Sequence, residues 1–211
     1  MSVKFVKICG ITRLEDAQAA VTWGANAIGF VFWPKSPRCV DVELASRIRS
    51  TLPPAISAIG VFVDQPVEDV NDIANRVDLD AVQLHGSEDV TYAKAITRRV
   101  VKALAVGGDE PPVLSTWPKG VMVLLDVHDP VKRGGTGKVI DWVAASGMAQ
   151  QREIILAGGL NPENVRDAIE RVKPYGIDVS SGVEVSPGIK DHERIKALFE
   201  AVHGSHYATR P

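Results

Sequence analysis

Eight short apolar runs punctuate the chain, and their spacing limits the fold more than any other feature. They begin near Phe5, Ile28, Ala58, Ala81, Val101, Met122, Ile154 and Ile177, at intervals of 20 to 32 residues. Each interval has room for one helix crossing over between parallel strands. Runs such as Val-Met-Val-Leu-Leu (121–125) and Glu-Ile-Ile-Leu-Ala (153–157) are apolar on both faces, as strands covered by helices must be. Eight βα units in series predict an α/β protein, a single (β/α)₈ TIM barrel. A doubly wound open sheet is the alternative, but no G-x-G-x-x-G follows any run. With 211 residues, against a prior of about 150 per domain, one barrel over residues 1–203 accounts for the chain. Residues 204–211 read as a loose tail.

The segments between the runs carry helix signals. Thr12-Arg13-Leu14-Glu15 reads as a capping box, with Leu14, Ala17 and Val21 on one face. Asn161-Pro162 reads as an N-cap followed by proline at the first helical position, with Val165, Ala168, Ile169 and Val172 as its stripe. Ile195, Leu198, Phe199 and Val202 repeat that pattern near the end. Pro111-Pro112 and Pro118 leave little room between the fifth and sixth strands. A short or irregular fifth helix is expected there.

Composition narrows the function. Hydrophobic residues make up 45% and charged residues 24% of the chain, and the net charge is −2. A nucleic-acid binder would carry a basic surplus. No apolar run approaches the ~18 residues of a spanning helix. The apolar stretch at the N-terminus is broken by Lys4 and Lys7, so it does not read as a secretory leader. Two cysteines, Cys9 and Cys39, are too few for a disulfide scaffold. The expected setting is reducing and cytoplasmic.

In barrels of this kind the site forms at the C-terminal ends of the strands, so the residues just after each run matter most. Gly158-Gly159-Leu160-Asn161 follows the seventh and opens into a helix, and Ser180-Ser181-Gly182 follows the eighth. Either these are ordinary turns, or their amides cradle a phosphate. Cys9 ends the first run, where it either fills the core or faces the barrel mouth. Asp126 ends the sixth, as a loop cap or a site acid. His85 follows the fourth, as a structural histidine or a site residue. Arg38 has the fork to hold a carboxylate, or pairs with a surface acid. Gly134-Gly135-Thr136-Gly137-Lys138 is not a nucleotide-binding P-loop, because positions 132 and 139 are Lys and Val. It reads as a loop that closes over a substrate, or as a plain surface loop. Asp126, His128 and Asp129 on one loop are a weak metal signal.

Together these segments resemble phosphoribosylanthranilate isomerase. The resemblance rests on Lys-Ile-Cys-Gly-Ile-Thr (7–12), Gly-Phe-Val-Phe-Trp-Pro-Lys-Ser-Pro-Arg (29–38) and Gly-Val-Phe-Val (60–63). Gln-Leu-His-Gly (83–86), Leu-Leu-Asp (124–126) and Gly-Gly-Thr-Gly-Lys-Val-Ile-Asp-Trp (134–142) extend it. Leu-Ala-Gly-Gly-Leu-Asn-Pro-Glu-Asn-Val (156–165) and Asp-Val-Ser-Ser-Gly-Val-Glu (178–184) complete it. The departures are Ile140, where the family usually has an aromatic, and His128-Asp129-Pro130 in the sixth loop.

The resemblance implies an Amadori rearrangement of N-(5-phosphoribosyl)anthranilate in tryptophan biosynthesis, with no cofactor and no required metal. It implies Asp126 as the acid at the ring oxygen and Cys9 as the base at C2. Arg38 would hold the anthranilate carboxylate, and Asp178 would order the site. Gly158, Gly159, Ser180, Ser181 and Gly182 would surround the phosphate, with His85 and Gly135 lining the pocket. The acid needs its pKa raised from ~3.9 by burial. Cys9 is expected to be partly thiolate, through loop amides and a nearby Arg38. The partner is a small phosphosugar rather than nucleic acid or membrane, and the chain is a monomer or a homodimer. The rival readings are another phosphosugar barrel, such as an indole-glycerol-phosphate synthase or a ribulose-phosphate epimerase, and a non-catalytic phosphate-binding module.

Overall fold

The computed structural model describes residues 3–107, 112–127 and 140–203. Eight parallel strands close into a barrel in chain order: β1 (Phe5–Cys9), β2 (Ala27–Val31), β3 (Ser57–Phe62), β4 (Ala81–Leu84), β5 (Arg99–Val106), β6 (Met122–Val127), β7 (Ile154–Leu156) and β8 (Gly176–Val179). β1 pairs with both β2 and β8, which shuts the ring. Every strand begins within two residues of an apolar run.

Around the barrel stand α1 (Leu14–Thr22), α2 (Val42–Arg49), α3 (Val67–Val77), α4 (Val90–Lys94), α5 (Trp142–Ala149), α6 (Val165–Val172) and α7 (His192–His203). Between β5 and β6 the described residues hold only a 3₁₀ turn, Leu114–Thr116, as the prolines predict. Among the described residues no helix is long and apolar enough to cross a membrane. The expected tail at 204–211 lies outside the described residues.

Strand alternation sorts the side chains. Val6, Ile8, Ile28, Phe30, Val82, Leu84, Val123 and Leu125 point outward and join the helices in the main core. The alternate positions fill the barrel in smaller groups. Ala27, Ile59 and Ala81 pack together with Phe5 on one side, and Val101, Ala103, Leu124, Ile155 and Ala157 on the other. Cys9, Val31 and Val61 meet Trp33 near the mouth.

The stripes of α6 (Val165, Ala168, Ile169, Val172) and α7 (Ile195, Leu198, Phe199, Val202) are buried as their spacing predicts. Asn161 caps a turn that leads into α6: its carboxamide oxygen accepts from the Glu163 and Asn164 amides, and the helix itself starts later, at Val165.

Two expectations are corrected. The capping box at α1 does not form. Arg13 stands at the N-cap, and the Thr12 hydroxyl donates to the Gly188 carbonyl instead. The buried face of α1 is Asp16, Ala17 and Ala20, while Leu14 is exposed. A tertiary partner outbids the local one here, because Gly188 sits in a hairpin the sequence does not announce. That hairpin is β9 (Glu184–Ser186) with β10 (Ile189–Lys190), between β8 and α7.

Candidate active site

A pocket opens at the C-terminal ends of the strands. Its walls include Cys9, Trp33, Arg38, Gln83, His85, Asp126, Gly158, Gly159, Asp178, Ser180 and Ser181. Nine of the candidate residues named from the sequence therefore share one mouth. Gly182 is not in the wall, and Gly135 lies outside the described residues, as do His128 and Asp129.

Cys9 is the last residue of β1 and is buried. It pairs in register with Gly29. A Cβ on Gly29 would stand 2.7 Å from Cys9 Sγ and 3.0 Å from Lys7 Cε, so that glycine makes the space the thiol occupies. The expectation that Arg38 aids a thiolate at Cys9 is not met. Burial pushes the thiol above the usual cysteine range, and the Lys7 ammonium opposes that push. Arg38 is engaged elsewhere.

Asp126 lies on β6, across the mouth from β1. Its Oδ1 accepts from the Val127 amide at 2.8 Å, and its Oδ2 lies 3.2 Å from His85 Nε2. His85 Nδ1 is 2.9 Å from Gln83 Nε2. His85 thus bridges Gln83 and Asp126 through its two ring nitrogens. Gln83 was not singled out from sequence, although it lies two residues from His85 on the same strand face.

Gly158 serves the acid more directly than it serves an anion. Its φ is +83°, and a Cβ would stand 3.0 Å from the Val127 nitrogen and 3.1 Å from Asp126 Oδ1 and from Ile140 Cβ. Gly159, at φ +70°, continues the turn, and its carbonyl accepts from Asn164 Nδ2. Ser180 leads into a 3₁₀ turn, Ser181–Val183. Gly182 brings the two loops together, since any Cβ there would run into the Leu160 carbonyl. The mouth is therefore rimmed on this side by two short backbone loops at the amino ends of turns, suited to an anion.

Arg38 is buried and bound by Glu184. Its Nε lies 2.9 and 3.1 Å from the two carboxylate oxygens, and its Nη2 lies 2.6 Å from Oε2. Of the five guanidinium N–H groups, this leaves those at the Nη1/Nη2 end for a ligand. Glu184 also receives Lys190 Nζ at 2.8 Å. Lys190 donates further to the carbonyls of Cys9 (2.6 Å) and Ser180 (3.2 Å). Arg38 and Lys190 hold the Glu184 carboxyl below the usual range despite the opposing effect of burial. Asp178, opposite Lys7 in the register of β8 and β1, takes the Lys7 ammonium at 3.0 and 3.1 Å. Among the described residues no three His, Cys, Asp or Glu side chains converge as a metal-binding group.

A family model described as N-(5'phosphoribosyl)anthranilate (PRA) isomerase matches residues 6–201. The N-(5'-phosphoribosyl)anthranilate isomerase of Geobacter sp. (strain M21) is 49% identical over 191 residues, 90% of this chain and 94% of that protein. The crystal structure of phosphoribosyl anthranilate isomerase from Thermus thermophilus superposes with a TM-score of 0.88 at 39% identity, covering 96% of this chain and 100% of that one. A further isomerase structure, in complex with reduced 1-(o-carboxyphenylamino)-1-deoxyribulose 5-phosphate, has a TM-score of 0.81 at 41% identity, covering 95% and 98%.

Proposed function

The chain belongs to the N-(5'-phosphoribosyl)anthranilate isomerase family, and we propose that its strand-end thiol and carboxyl divide the proton transfers of that reaction. It is an isomerase of tryptophan biosynthesis. It catalyses the Amadori rearrangement of N-(5'-phosphoribosyl)anthranilate to 1-(2-carboxyphenylamino)-1-deoxyribulose 5-phosphate. The observation that carries the division of roles is that Cys9 on β1 and Asp126 on β6 line a single mouth.

Asp126 gives its proton to the furanose ring oxygen, and the ring opens to a Schiff base. Cys9, as thiolate, removes the proton from C2, and the resulting enolamine tautomerises to the aminoketose. His85, held by Gln83, keeps the Asp126 carboxyl aimed. The substrate phosphate lies on the loops of Gly158-Gly159 and Ser180-Ser181, with Gly182 holding those loops together. Arg38 meets the anthranilate carboxylate with the Nη1/Nη2 end that Glu184 leaves open. The partner is this one phosphosugar, in a cytoplasmic setting where both cysteines stay free. The chain works as a monomer or a homodimer. The deciding assay mixes purified protein with phosphoribosylanthranilate generated in situ and follows the loss of its fluorescence. A catalysed decay is the expected result, and an uncatalysed trace refutes the reading.

A further inference from the structure

Among the described residues Lys7 is one of the largest fully buried side chains, and it is charged. It stands inside the barrel, two residues before Cys9 on β1 and therefore on the same face. Its Cε and the Cys9 Sγ crowd the same space above Gly29. Its ammonium is held by both oxygens of Asp178, which lines the mouth from β8. An unpaired ammonium in such a place would cost too much to keep. The pair with Asp178 keeps it charged and fixed below the thiol.

We propose that Lys7 is a positioning residue for the reaction: anchored by Asp178 at the floor of the mouth, its ammonium is the counter-charge that lets Cys9 exist as a thiolate. The thiol proton leaves to solvent before the substrate binds, and the thiolate then accepts the C2 proton. Lys7 exchanges no proton in either step. The other charged or titratable groups around Cys9 are Asp178 on β8, Lys190 on β10 (bonded to the Cys9 carbonyl), Arg38 after β2, His85 after β4 and Asp126 on β6. Of these, Asp178 disfavours the thiolate, and Arg38 is neutralised by Glu184. Lys7 has the largest favourable effect on Cys9, opposed first by burial and then by Asp178.

The two members of the pair thus act on Cys9 with opposite signs, which a purely structural role does not produce. The experiment measures iodoacetamide alkylation of Cys9 by mass between pH 6 and 10, in a Cys39→Ser background. The rate follows the thiolate fraction. Lys7→Met should lower the rate at pH 8 by about tenfold and move the midpoint up. Asp178→Asn should raise the rate and move the midpoint down. If Lys7→Met folds poorly, Lys7→Met/Asp178→Asn removes both charges and leaves no orphan. Its midpoint should still lie above that of the parent. A Lys7→Met profile that coincides with the parent, single variants that shift the same way, or a double-variant midpoint at or below the parent, overturns the proposal. The inference rests on Cys9 being the base, and Cys9→Ala separates the two. Retained turnover in Cys9→Ala removes the base itself, whereas an inactive Cys9→Ala beside an unmoved Lys7→Met profile removes only Lys7.

Discussion

At the scale of single residues, the proposed chemistry depends on a thiol and a carboxyl placed across one mouth, each with a dedicated neighbour. Cys9→Ala should lose about 10²–10⁴-fold in turnover, the usual worth of a general base, with KM within a few-fold of the parent. Asp126→Asn keeps shape and hydrogen bonding but cannot deliver the ring-opening proton. Substrate supplied already ring-opened should restore much of the Asp126→Asn rate and none of the Cys9→Ala rate. Equal rescue of both variants, measured by product formation, ends the division of roles. That Cys9 and Asp126 share one mouth was legible because strand-end position points at them. Their supports were not. Lys7 reads in the sequence as a break in an apolar stretch, and its burial depends on Asp178, 171 residues away. Gln83 and Lys190 carry no local signal either. The available clue was period two: Lys7 and Cys9, like Gln83 and His85, alternate onto one strand face.

At the scale of elements, the apolar runs located every barrel strand, because a strand covered on both faces has little freedom in composition. The β9–β10 hairpin escaped, since two or three residues with exposed Val185 and Ile189 show no such pattern. Yet that hairpin supplies Glu184 and Lys190, which decide how much of Arg38 is free. The Gly158-Gly159 loop shows a second thing the sequence hides. Gly159 has φ +70°, so any side chain there adds strain to whatever else it does, and a charge test needs a matched control. Asn tolerates this backbone better than most residues, and Asp has the same shape. Gly159→Asp should therefore raise KM by about tenfold over Gly159→Asn, the equivalent of ~1.4 kcal/mol. The two thermal midpoints should agree. Equal KM values in steady-state assays would move the phosphate away from this loop.

At the scale of the whole molecule, a parallel barrel must join its first unit to its last, and that closure spans nearly the whole chain. β1 pairs with β8, and α1 packs on α7. Asp16 is a fully buried carboxylate at this seam. It accepts from Arg13 at 2.7 and 3.0 Å and from the Lys190 amide at 3.0 Å, and it meets His192 Nε2 at 2.8 Å. Lys190 belongs to the hairpin and His192 to α7, so one carboxylate ties three elements together. Burial alone would raise its pKa, but these hydrogen bonds hold it below the ordinary value. A carboxyl with a depressed folded pKa stabilises the fold at every pH above its unfolded value of ~3.9. That contribution falls away as pH drops through the lower folded value, where both states become protonated. Asp16→Asn should thus unfold at lower urea than the parent throughout the range from pH 7 to about pH 5. Below ~3.9 the gap should narrow, because the parent is losing what the variant never had. Urea midpoints measured at half-unit steps from pH 7 to pH 3 decide it, and a gap that stays constant or widens in acid would show that the seam draws its strength from something other than the Asp16 charge.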